Sequence, residues 1–110
     1  MTNEQATDIL DEAIKTLEDA SKWTKQEDFG AACSATQPTF SLACALKLAH
    51  IKVMGSFKPR SAVMEKVRGK IRRYFLLRHG IHPIYSFNKH RKTTHFEVLF
   101  ILQNARKDFR

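Results

Sequence analysis

The chain has 110 residues, 43% of them hydrophobic and 27% charged, with four glycines and three prolines. That balance fits one folded domain with a modest core; it excludes a second domain, a long disordered segment and a membrane span, since no apolar run approaches the ~20 residues a bilayer requires. The net charge of +8 is unevenly placed: residues 1–28 hold eight acids against three lysines (net −5), and the rest holds sixteen bases against Glu65, Glu97 and Asp108 (net +13). A basic body of that kind attracts polyanions without defining a fold.

The start, "MTNEQATDILDEA", lacks the basic end and apolar stretch of a secretory leader, so a cytoplasmic location is expected. Thr2 and Gln5 have capping-box spacing, which predicts a first helix over residues 3–21. Ile9, Leu10, Ala13, Ile14, Leu17 and Ala20 share one face; Glu4, Asp8, Asp11, Glu12, Glu18 and Asp19 share the other. Asp11–Lys15 and Glu18–Lys22 are i,i+4 pairs with the acid first. The acidic face reads most simply as solvated, with partner binding or nucleic-acid mimicry as the alternative. "SKWTKQEDFGAACSATQ" then reads as a loop around Gly30, with Trp23 folding back onto the core. Cys33 and Cys44 make one disulfide arithmetically possible, but a cytoplasmic setting favours free thiols.

A second helix is expected from Pro38 in its first turn to Met54, stopped by Gly55. It is apolar nearly all round, which predicts the central position. Ser61 is a candidate N-cap for a third helix ending near His79, with Gly80 as its stop. Met64, Val67, Ile71, Tyr74 and Phe75 form its core face, and Leu76 points away. Residues 83–88, with Ile84, Tyr85 and Phe87, read as a short extended segment or apolar strap. Thr94 and Glu97 box the start of the last helix. The fold class is mainly α: a compact four-helix single domain over residues 1–110, with an acidic first helix, a basic body from residue 29 and a core around the second and fourth helices.

The third helix carries the chemistry. "KVRGKIRRYFLLRHG" places Lys66, Lys70 and Arg73 on one flank of the core stripe and Arg68 and Arg72 on the other, with Gly69 between. Lys89, His90, Arg91 and Lys92 form a second cluster in the following loop. Phosphate binding needs several cations on one rigid surface, so these nine residues are the candidate nucleic-acid contacts, provided the loop folds beside the helix. The alternative is a solvated face with a basic bias. His79-x2-His82 and His90-x4-His95 sit in strongly cationic surroundings without nearby Asp or Cys, so no metal site is expected. No P-loop, nucleophile elbow or paired carboxylates appear, so no catalytic residue and no cofactor are assigned.

The assembled pattern resembles a family of small bacterial and phage proteins known as domain of unknown function number 6197. "DILDEAIKTLEDASKWT" is similar to that family's opening helix leading to a Trp-Thr pair. "SLACALKLA" resembles its Cys-containing helix of small residues. "SFNKHRKTTHFEVLFILQNA" resembles its ending, an aromatic-Asn pair followed by an Arg/Thr stretch and a final helix. Phe87 stands where the family usually has Trp, and Lys89 where Asp usually follows the Asn. The resemblance implies a compact helical domain with a phage or mobile-element setting, and it carries no activity. Within it, Trp23 would fill core, Asn88 would set a turn through its own backbone, and Thr94 would cap the last helix.

Two functions are expected from these features. The first is a non-enzymatic accessory protein binding DNA or RNA through phosphates, with weak sequence selectivity because no base-reading set of Asn, Gln and Arg lines one face. The alternative is an inhibitor or adaptor that docks on a host protein or on a second copy, as a dimer or larger oligomer, through the acidic first helix, the basic body, or Leu76 and Leu77. No membrane partner is expected.

Overall fold

A reciprocal cap starts the first helix. The Thr2 hydroxyl accepts from Gln5 N at 3.0 Å, and Gln5 Oε1 accepts from Thr2 N at 2.9 Å. In the computed structural model, which describes residues 1–28 and 33–110, α1 runs Asn3–Leu17. It ends before residue 21 because Asp19 takes over the backbone. Its carboxylate accepts from Ser21 N at 2.9 Å and from the Ser21 hydroxyl at 2.8 Å, opening a 3-10 turn over Ala20–Lys22. Ile9, Leu10, Ala13 and Leu17 are fully buried. The opposite face is tied down as well as wet: Asp11 pairs with Arg106 at 2.6 Å rather than with Lys15, and Glu12 pairs with Lys52 at 2.9 Å.

The next helix, α2 (Leu42–Met54), starts four residues later than Pro38. The cause is Asp28. Its carboxylate accepts from Ser41 N at 3.1 Å, from the Ser41 hydroxyl, and from Gln37 Nε2 at 2.5 Å. Those bonds hold residues 37–41 in an extended return, which pairs Phe40 with Trp23 in an isolated parallel bridge. Ser41 is then the N-cap, accepting from Cys44 N at 3.1 Å. The return also brings Cys33 to Cys44, Cα to Cα 5.5 Å, and the two form a disulfide. The expectation of free thiols is therefore corrected: the segment folds over the first turn of α2 instead of leaving it. The loop centred on Gly30 lies outside the described residues. Gly55 ends α2 at φ 81°, as its position predicts.

Ser61 caps α3 (Ala62–Tyr74), which stops five residues short of His79. Phe75 turns its ring inward against Phe87 (centroids 4.9 Å) and Phe100 (6.3 Å), under the Arg78 guanidinium at 4.9 Å. A helical continuation would point that ring elsewhere, so the chain makes a 3-10 turn over Leu76–Arg78. Gly80 (φ 52°) completes the reversal, and a Cβ there would meet Ser86 Oγ at 2.3 Å. Residues 83–88 are not extended. Pro83 begins a helix, α4 (Pro83–Lys89), that buries Ile84, Phe87 and Asn88 at i, i+3 and i+4 spacing. The Thr94–Glu97 box starts α5 (His95–Lys107) as expected. The architecture is mainly helical, with five α-helices and no strand among the described residues, and none of these helices is long and apolar enough to cross a membrane.

Helix α1 packs on α2, α5 and α3, while α4 closes against α3 and α2. Helix α2 buries Leu42 to Leu46, Ala49 and His50 in the core, and the rest of its apolar surface is exposed at Ile51 and Met54. Asn88 binds these parts together. Its Oδ1 accepts from Trp23 Nε1 at 2.7 Å and from Leu42 N at 3.1 Å, and its Nδ2 donates to Thr24 O at 3.1 Å. It sets no local turn: it links α4 to two distant segments, and Trp23 is held by its indole N–H as well as by packing.

Asn88→Ala leaves three polar partners without their amide and is expected to cost about 2–4 kcal/mol in denaturant unfolding. Reducing the Cys33–Cys44 bridge is expected to cost about 2–4 kcal/mol as well. Thiol titration of the native and denatured chain checks whether the bridge is present.

Candidate functional site

The five cations of α3 fall into two rows, as the 3.6-residue period requires. Lys66 and Lys70 face the end of α5. Both pair with Asp108, at 3.2 and 3.0 Å, and hydrogen bonds from Lys70 and Lys66 lower the Asp108 pKa below its ordinary value. Arg73 completes that row and lies over the Tyr74 ring at 5.5 Å. The row lines a groove of about 340 Å³ that also holds Glu65 and Gly69. On the other flank, Arg68 binds Glu65 at 3.0 Å and Pro59 O at 2.8 Å. Glu65 also accepts from Arg60 at 2.9 Å. Its carboxyl is held below its ordinary pKa, first by that bond and then by the charges of Arg60, Arg68 and Arg72.

The following bend is built on an inward-turned cation. Lys25 Nζ donates to His90 O at 2.8 Å and to Arg91 O at 3.0 Å, with the Trp23 ring beneath it at 5.8 Å. His90 Nδ1 accepts from Lys92 N at 3.1 Å. Lys89 turns toward Glu27 at 3.5 Å. Arg91 and Lys92 are exposed. The bend lies beside the C-terminal end of α3: Tyr74 to Arg78 and His90 to Lys92 line one groove of about 450 Å³. One wall is fixed by Arg78, which donates to Glu97 at 2.8 Å and to Thr93 at 3.4 Å.

The nine predicted contacts therefore divide, with His90 set apart by the bond it accepts from Lys92 N within the bend. Lys66, Arg68, Lys70 and Lys89 each have a carboxylate within 4.0 Å, whereas Arg72, Arg73, Arg91 and Lys92 have none among the described residues. The four without a carboxylate sit on the last turn of α3 and on the bend. Sequence reasoning expected Leu76 and Leu77 outside and missed that Tyr74 joins them. Tyr74, assigned to the core face, is 42% exposed, and Leu76 and Leu77 are 66% and 93% exposed. The signal was present in "RRYFLLR": four consecutive large apolar residues cannot all face one core from a continuing helix.

The histidines go elsewhere. His95 Nε2 donates to Leu17 O at 2.5 Å at the end of α1, and His79 Nδ1 lies 2.9 Å from Gly80 O. Among the described residues no three His, Cys, Asp or Glu side chains gather as a ligand set.

Residues 1–108 match the family of unknown function DUF6197, and the chain belongs to that family. No curated protein and no solved structure matches the chain significantly.

The Arg78 contact has a pH signature. Burial raises the Glu97 pKa, but the bonds from Arg78 and Thr94 outweigh it and leave the carboxyl below its ordinary 4.5. A depressed carboxylate contributes stability above its unfolded pKa and loses it as pH falls through the folded value. Acid unfolding monitored by circular dichroism is therefore expected to begin below pH 4.5, and Glu97→Gln is expected to make its midpoint less pH-dependent.

Proposed function

We propose that the chain is a small accessory protein that binds nucleic acid through phosphate contacts, with Arg72, Arg73, Arg91 and Lys92 as the principal donors. The observation that supports this reading is the groove joining the end of α3 to the cationic bend, lined by Arg78, Arg91 and Lys92, with Arg72 and Arg73 on the turn of α3 just before it. Phosphate binding gains from released counterions and loses from ordering long side chains. Here part of that ordering is already done: Arg73 rests on Tyr74 and Lys25 fixes the backbone of the bend. Lys66, Lys70 and Arg68 take a lesser part, because Asp108 and Glu65 offset their field. Contacts of this kind read the backbone, so sequence selectivity is low.

A bacterial or phage origin belongs to this proposal as the setting the family resemblance implies. The cytoplasmic location expected from the N-terminus is not carried into it, because a Cys33–Cys44 bridge persists most readily in an oxidising compartment.

A second reading is favoured by the exposed apolar side chains. Leu77, Ile81 and Phe96 are 93%, 90% and 77% exposed, and phosphate contacts leave them uncovered. They suit docking on a host protein or on a second copy.

Fluorescence anisotropy with labelled DNA and RNA across a salt series separates the readings. Four phosphate contacts give a log–log salt slope of about −3.6 on duplex DNA. Arg91→Glu with Lys92→Glu is expected to abolish binding, and Asp108→Asn to tighten it by freeing Lys66 and Lys70. Absence of binding at low salt, with a concentration-dependent mass on size exclusion, would favour the second reading.

A further inference from the structure

At the opposite end of α3 a hydroxyl meets a buried imidazole. Ser61 Oγ lies 2.7 Å from His50 Nε2, and His50 Nδ1 lies 2.6 Å from Leu46 O. A carbonyl can only accept, so Nδ1 carries the ring proton; Nε2 is the acceptor, and the Ser61 hydroxyl donates to it. His50 is 1% exposed, and the Phe57 ring stands edge-on to it at 5.2 Å. Burial lowers its pKa, with the Leu46 carbonyl working against that shift. The imidazole is therefore neutral at pH 7 and able to accept a proton.

The other caps are built differently. Thr2 and Thr94 sit in reciprocal boxes with Gln5 and Glu97, and the Ser41 hydroxyl donates to the Asp28 carboxylate. Ser61 alone among these side-chain caps gives its proton to a neutral base. It is partly exposed. Ser61 and His50 line a cavity of about 470 Å³, where Met54 supplies an apolar wall and Lys58 a cation. Ala62 lines the same cavity, and its first-turn amide has no acceptor within its own helix. That amide is available to a developing oxyanion beside Ser61.

We propose that Ser61 is a nucleophile, activated by His50, that accepts the acyl group of small apolar esters. This activity is independent of the nucleic-acid reading and lies at the other end of the helix. Ser61 Oγ attacks the carbonyl carbon while its proton passes to His50 Nε2. The bond to the leaving alcohol oxygen breaks, and that oxygen takes the proton. Water then attacks the acyl-Ser61 ester, its proton passing through His50 back to Ser61 Oγ, and the carboxylic acid leaves. The sum is ester plus water giving acid plus alcohol, with no oxidant or metal required.

The full chain, mixed with p-nitrophenyl acetate and quenched, should carry one acetyl group, which peptide mapping places on Ser61. His50→Gln should slow its formation at least about tenfold, since general-base assistance commonly contributes about a hundredfold or more. The rate should be flat above pH 6.5, the ordinary histidine value, and fall only below it. Ser61→Asp keeps a capping oxygen and should show no adduct at residue 61, with its circular dichroism unchanged. The mapping on the unmodified sequence needs no variant to fold. Acetylation on lysines alone, or a Ser61 adduct whose rate His50→Gln leaves unaltered, overturns the proposal.

Discussion

The arrangement depends on one buried amide. Asn88 is 4% exposed and bonds Trp23, Thr24 and Leu42 at once. Trp23 closes the 3-10 turn after α1, Thr24 N donates to Phe40 O at 3.0 Å, and Leu42 N is a first-turn amide of α2 with no acceptor in its own helix. Without the amide, two donors and an acceptor from two segments would lose their partner, at a cost of up to about 1–3 kcal/mol each. Packing alone brings these segments near one another; the amide fixes their register. Phe87, fully buried one residue earlier on α4, anchors the helix that carries it.

The charges show a similar economy of placement. The acidic start of the chain is partly neutralised: Asp11, Glu12 and Glu27 pair with Arg106, Lys52 and Lys89, while Glu4, Asp8 and Glu18 stay exposed. The basic body is likewise reduced: Asp108 engages two lysines of α3, and Glu65 engages two arginines. Exposed pairs of this kind add little to stability. Their consequence is to localise the field. Arg72, Arg73, Arg91 and Lys92, with no carboxylate partner among the described residues, gather where α3 ends and the bend begins, so the position of the helix stop decides where this cluster lies.

Much of this was readable in the sequence. The Thr2–Gln5 and Thr94–Glu97 boxes, the Ser61 cap and the Gly55 stop are local, and local chemistry determines them. What was not readable depended on distant partners. Pro38 looks like a first-turn residue until Asp28 pins Ser41 from thirteen positions away. Residues 83–88 look extended because Ile84, Tyr85 and Phe87 mix both periods; burial on α3 and α2 decides for the helix. Cys33 and Cys44 could be paired only once the return segment was seen to cross α2. For the candidate site, the cationic residues were legible and their ion pairing was not, since Asp108 lies at the far end of the chain.

The length of α3 then follows from its two ends: the Ser61 cap sets the start and the packing of Phe75 sets the finish. At the start, the Ser61 hydroxyl donates to His50 Nε2, and its oxygen accepts from Met64 N at 3.2 Å. At the finish, Phe75 leaves the helix to stack between Phe87 and Phe100. Phe75 gains partial burial against the core, at about 25 cal/mol for each Å² removed from water, whereas a further turn of exposed helix returns little through propensity. The ring goes in, so Leu76 and Leu77 are turned out and the helix is cut at Tyr74. The exposed apolar pair and the cationic cluster beside it are therefore products of one packing choice, and a helix continuing to His79 would have given neither the groove nor its neighbours.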